Sequence, residues 1–160
     1  MVAHMLATIG QQLYQGQILP ERVATLALFH DASEVITGDL PTPVKYFNPQ
    51  IAQEYKKIEA IAEQRLLSLL PAELQQAYQP YLLSEQYSSA EKLLVKAADH
   101  LCAYVKTIEE ISAGNHEFVQ AQRRLEKMLS NYEQPEVQYF LKVFCPSFAL
   151  SLDEISQEES

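Results

Sequence analysis

The sequence predicts an all-α fold, a compact helical bundle. Three observations carry this. Apolar residues recur at three- and four-residue spacing along almost the whole chain, no alternating stretch is long enough for a strand, and only four glycines interrupt long proline-poor segments. With 160 residues, 48 % of them hydrophobic, the chain can bury a core of its own. One domain is expected over residues 1–150, followed by a loose acidic tail over 151–160, "SLDEISQEES".

The elements follow in order. A first helix is already under way at Val2, Leu6 and Ile9, with no capping residue before it. A loop around Gly16–Pro20 leads into a helix expected from about Glu21 to Ile36, whose apolar surface comes from Val23, Leu26, Ala27 and Phe29. A loop over Thr37–Asn48 follows. Asn48 as cap and Pro49 in the first turn open a long helix ending near Leu70. A shorter helical piece, "PAELQQAYQPYLLSEQ", is expected to break at Pro80. Ser88 and Glu91 form a capping box that starts a long helix, and Gly114 closes it. Two further helices are expected at about His116–Asn131 and Pro135–Phe144.

Charge narrows the function. Lys and Arg number 12 against 21 Asp and Glu, a net charge of −9. So acidic a chain repels phosphate polymers, and no nucleic-acid polymer is expected as partner. A small phosphorylated ligand remains open if a cation offsets the field. Cys102 and Cys145 make neither a disulfide framework nor a CxxC site, and read as reduced thiols. No run approaches the roughly 20 apolar residues of a membrane span. The start, "MVAHMLATIGQQLYQ", has no basic n-region or cleavage site. A cytoplasmic protein without membrane contact is expected.

The acids that invite chemistry sit in "LFHDASEVITGDLPTPVKYFN". On a helix His30 and Glu34 would share a face one turn apart, with Asp31 about 100° round from His30. Burying such acids without a partner is costly, so either they lie near the surface or something positive sits among them. Asp99 raises the same question among Leu94, Val95, Ala97, Ala98 and Leu101. It calls for a salt bridge (Lys96 is the near candidate), helix amides or a metal. One imidazole with two carboxylates is a hard, mixed nitrogen and oxygen set suited to Mn, Co, Fe, Zn or Mg. His100 and His116 have no matching acids at ligand spacing and read as exposed or core-edge side chains.

This block, followed downstream by "EKLLVKAADHLCAY", resembles the HD-domain phosphohydrolases and, among them, the bacterial 5'-deoxynucleotidases. The resemblance runs from the first residue to "PSFALSLDEIS". It implies a helical, homodimeric enzyme that hydrolyses deoxynucleoside 5'-monophosphates with a divalent cation such as Co, Mn or Zn. Carried over by position, His30, Asp31 and Asp99 match metal ligands, and Glu34 matches the acid that orients or deprotonates water. Asp39, Leu40, Pro41 and Thr42 match the loop that contacts substrate, with Asp39 placed to meet the deoxyribose. Asp31 and Asp99 also border the substrate.

The resemblance also implies what precedes "MVAHMLA". The family's fourth ligand, a histidine, and its phosphate-directed Arg with an adjacent Trp belong upstream; His4 aligns with a different histidine, and the sequence holds no Trp. The 160-residue form is therefore expected to bind metal weakly and turn over slowly. Two other readings compete. One is an HD-type hydrolase of another phosphorylated nucleotide, and the other a non-catalytic helical module.

Overall fold

A computed structural model describes residues 1–41 and 49–156. These residues form helices and turns, and no strand is present among them. The chain divides into two compact units, Met1–Ala24 with Leu93–Ser160, and Thr25–Lys92.

The first unit opens with α1 (Val2–Tyr14), where Ala3, Leu6, Ala7 and Ile9 are buried at helical spacing. The helix ends on Gln15, a non-glycine residue in the left-handed region at φ 57°. Gly16 follows and donates its N–H to the Gly10 carbonyl at 2.9 Å. The backbone there is so close that a Cβ on residue 16 would lie 3.0 Å from the Gly10 carbonyl carbon. The sequence reading expects a loop at Gly16; the glycine is needed for that close approach rather than for its dihedral angles.

Two helices, α2 (Pro20–Phe29) and α6 (Ser89–Ser112), supply residues to both units. The capping box at the start of α6 forms as expected. The Ser88 N–H donates to Glu91 Oε2 at 2.7 Å, and the Glu91 N–H donates to Ser88 Oγ at 3.2 Å. Gly114, at φ 89°, ends the segment, and the Asn115 N–H returns to the Glu110 carbonyl at 2.8 Å. After a 3₁₀ turn at His116–Phe118 come α7 (Val119–Leu129) and α8 (Pro135–Val143). α8 packs against α1, and Val137, Phe140 and Leu6 are almost fully buried. Burial of each such side chain contributes about 1.5–3 kcal/mol. A 3₁₀ segment, Cys145–Ala149, leads to α9 (Leu152–Ile155).

In the second unit, α3 (Glu34–Thr37) packs on α4 (Pro49–Leu69), and α4 on α5 (Ala72–Leu82). Phe29 lies edge-on to Tyr78 at 6.1 Å and stacks on Tyr81 at 6.0 Å, tying the end of α2 to α5. Tyr87 and Leu83 are buried below a 3₁₀ turn, Ser84–Gln86, whose first N–H is accepted by Glu63 Oε2 at 3.0 Å.

Two expectations are corrected. The helix expected over residues 21–36 ends at Phe29, and His30–Ser33 form a turn before α3. The His30 imidazole donates Nδ1–H to the Ala27 carbonyl at 2.8 Å, the acceptor that the Asp31 N–H would use in a continued α-helix. Tighter bonds take over, Ala32 N–H to Phe29 O and Glu34 N–H to Asp31 O, both at 2.9 Å. Pro80 does not break its helix. It falls in the last turn of α5, where its missing N–H removes a single backbone bond. Within the acidic tail, residues 152–155 form a helical turn, because Ser151 and Glu154 cap each other at 2.7 and 3.3 Å.

Candidate active site

The turn that ends α2 brings His30 and Asp31 together. A carbonyl only accepts, so the bond to Ala27 requires a proton on Nδ1 and turns Nε2 outward. Nε2 lies 2.9 Å from Asp31 Oδ2, and the two side chains are 30 % and 57 % exposed. Nε2 either carries a second proton and pairs with the carboxylate as imidazolium, or offers a lone pair beside an anionic oxygen. The second form sets a ring nitrogen and the Asp31 carboxylate oxygen side by side, the chemistry a hard divalent cation takes. The pair fits such an ion. Within either unit, no group of three or more His, Cys, Asp or Glu side chains is gathered to hold one, among the described residues.

Glu34 is the first residue of α3, half-buried, with its backbone held by the Asp31 carbonyl. It therefore follows directly on the His30–Asp31 turn instead of sharing a continuous helix face with His30. α3 closes on Gly38, at φ 71° and ψ 170°, whose N–H donates to the Glu34 carbonyl at 2.8 Å. Asp39 and Pro41 are exposed and Leu40 is half-buried. Thr42, the last of the expected substrate contacts, lies outside the described residues.

Asp99 belongs to the other unit, on α6. Its carboxylate is 39 % exposed and takes the Lys96 ammonium at 2.6 Å, the salt bridge that its sequence neighbourhood offers. Next to it, burial pushes the His100 imidazole below its ordinary range. Lys96 adds to the shift and Asp99 opposes it. His100 Nδ1 lies 3.0 Å from the Tyr132 hydroxyl, and burial first, then Asp99, raises that phenol. His116, by contrast, sits in a 3₁₀ turn at the start of the α7 segment.

The sequence does not single out Tyr55. Its hydroxyl, on α4, shares its one proton between the Gly38 carbonyl, just ahead of Asp39, at 2.5 Å and the Thr37 carbonyl at 2.9 Å. No local pattern announces it, since the partners are 17 and 18 residues apart.

The all-α fold is shared with the HD-domain phosphohydrolases. A crystal structure of an HD-domain phosphohydrolase from Listeria innocua matches with a TM-score of 0.78 at 26 % identity, covering 94 % of this chain and 73 % of that one. The family model for YfbR-like 5'-deoxynucleotidases matches residues 1–148. The chain is 60 % identical over 158 residues to a 5'-deoxynucleotidase of Cronobacter sakazakii, covering 99 % of this chain and 79 % of that protein. It is 59 % identical over 155 residues to one of Vibrio vulnificus, covering 97 % and 80 %. The chain belongs to the YfbR-like 5'-deoxynucleotidase family.

Proposed function

We propose that this chain hydrolyses deoxynucleoside 5'-monophosphates to deoxynucleosides and inorganic phosphate, with His30, Asp31 and Asp99 as ligands of a divalent cation. Family membership makes it a phosphoric monoester hydrolase of the 5'-deoxynucleotidase class. The observation that carries the site reading is the His30 ring, protonated at Nδ1 by its bond to Ala27 and presenting Nε2 at 2.9 Å from Asp31 Oδ2. Cobalt, manganese and zinc all suit such donors.

Bound there, a divalent cation lowers the pKa of water and offsets charge growing on the phosphoryl oxygens. Glu34 orients the attacking water and accepts its proton. The water oxygen forms the new bond to phosphorus, the bond from phosphorus to the 5'-oxygen breaks, and a proton returns to that oxygen as the nucleoside leaves. Asp39, with Leu40, Pro41 and Thr42, contacts the sugar, Asp39 accepting from the 3'-hydroxyl. Asp31 and Asp99 border the phosphate.

A homodimer in the cytoplasm belongs to the same proposal. Val35, Leu28 and Ile61 are 84, 82 and 70 % exposed, apolar side chains that association with a second copy would cover. The stretch "VQYFLKVFCPSFAL" turns Val137, Phe140 and Cys145 inward and leaves Val143 and Leu150 exposed. The free thiols of Cys102 and Cys145 suit a reducing compartment. Among the described residues no helix is long and apolar enough to cross a membrane.

The test separates nucleosides, nucleotides and inorganic phosphate after incubation with the chelated protein resupplied in turn with cobalt, manganese or zinc. Substrates are matched deoxy- and ribonucleoside 5'-monophosphates and a nucleotide phosphodiester. Release from the deoxynucleoside monophosphates alone is the expected result. Turnover of the diester, or of nothing under any metal, would overturn it.

A further inference from the structure

The peptide that joins Gly38 to Asp39 is held from two sides. On its N-terminal side Gly38 is fixed to α3 by its N–H bond to the Glu34 carbonyl, 2.8 Å. On its C-terminal side the Gly38 carbonyl accepts from the Thr37 hydroxyl at 2.9 Å and meets the Tyr55 hydroxyl. Gly38 itself imposes little. It adopts φ 71° and ψ 170°, and a Cβ built there would meet nothing within 4 Å. With no side chain to restrict it, the residue is a pivot whose ψ angle is set by whatever grips its carbonyl. The peptide unit is planar, so gripping that carbonyl also fixes the direction in which the Asp39 Cα departs.

Tyr55 is the grip that comes from outside the turn. It is half-buried on α4, a 21-residue helix, and its hydroxyl reaches both the Thr37 and Gly38 carbonyls. Thr37 ends the short helix next to the pivot and moves with it; Tyr55 refers the pivot to a separate, longer element.

We infer that Tyr55 is a positioning residue for sugar recognition, acting through the Gly38 carbonyl to place Asp39 against the 3'-hydroxyl of the nucleotide. This rests on the reading above that Asp39 contacts the sugar. Removing the Tyr55 hydroxyl frees ψ of Gly38, so that Asp39 samples orientations that no longer meet the 3'-oxygen. A hydroxyl that only tethered α3 to α4 would alter stability and leave the reading of the sugar unchanged.

The experiment uses the full chain with manganese and two non-hydrolysable ligands, the 5'-phosphonates of deoxyadenosine and of 2',3'-dideoxyadenosine, with dissociation constants from calorimetry. Wild-type protein is expected to bind the deoxy ligand about tenfold or more tighter, the ordinary worth of a hydrogen bond to a charged group. Asp39→Ala abolishes that ratio. Tyr55→Phe, shown folded by its circular dichroism, lowers the ratio at least about threefold while binding of the dideoxy ligand stays within about twofold, as expected when one polar contact alone is loosened. Gly38→Ala perturbs the same pivot from inside the turn, and its ratio falls too. Tyr55→Leu, which also lacks the hydroxyl, serves as the second readout if Tyr55→Phe folds poorly. A wild-type ratio near one would overturn the Asp39 reading itself. A normal wild-type ratio lost in Asp39→Ala but fully kept in Tyr55→Phe or Tyr55→Leu would overturn the role of Tyr55 alone.

Discussion

His30 Nδ1 lies 2.8 Å from the carbonyl oxygen of Ala27, and this one bond both ends α2 and fixes the tautomer of the ring. Nε2 is thereby committed to the Asp31 side. His30→Ala is expected to cut divalent-cation content and phosphate release at least about 100-fold, more than loss of a group that merely orients a ligand. Asp31 is 57 % exposed at its side chain, so Asp31→Ala should lose metal to a similar degree while its thermal midpoint barely moves. Metal analysis of the purified variants beside a melting curve checks both.

Glu34 follows the His30–Asp31 turn at the head of α3. Glu34→Gln keeps the shape and removes the proton acceptor. A fall in kcat of about 10²–10⁴-fold is expected, the usual worth of a general base, with metal content unchanged. Equal loss of metal and turnover would instead make Glu34 a ligand.

Tyr104 donates to Glu126 Oε1 at 3.1 Å, and burial first, then the charge of Glu126, pushes its phenol up to about 12. Between the ordinary value of 10 and about 12, the folded chain holds a proton that the unfolded chain has released. Stability linked to Tyr104 is therefore full below pH 10 and drains away as pH rises through that window. Tyr104→Phe should flatten this alkaline loss, read as urea midpoints measured from pH 9 to 12.

At the end of α1, Gln15 holds φ 57° and Gly16 lies against the Gly10 carbonyl. Gln15→Gly should stabilise the chain by up to about 1 kcal/mol through relief of the left-handed backbone. Gly16→Ala should cost about 1–3 kcal/mol, because its Cβ would meet fixed backbone at 3.0 Å. Urea unfolding of both variants reads the opposite signs directly.

Much of the local architecture was legible. The capping box at Ser88 and Glu91 and the stop at Gly114 use partners within a few residues of each other, and both form as read. Ser151 and Glu154 carry the same signal at the start of the tail. The end of α2 was not legible, because apolar spacing continues smoothly past Phe29 and nothing in the letters shows that an imidazole will take a backbone acceptor. The pairing of Lys96 with Asp99 was visible as one of three options for that carboxylate.

By itself the sequence determined an all-α chain, the helix boundaries that capping chemistry marks, the net acidic charge, and the His–Asp block that carries its resemblance. Each depends on residue type and short spacing, which is where sequence periodicity has its force. Only the tertiary structure decided that the His30 ring faces Asp31 with a fixed tautomer, and that Tyr55 grips the Gly38 carbonyl from a different helix. A hydrogen bond is made or missed over tenths of an ångström; for His30 that distance is set by where the local backbone leaves the helix, and for Tyr55 by packing between segments 17 and 18 residues apart, not by the identity of the residues that meet.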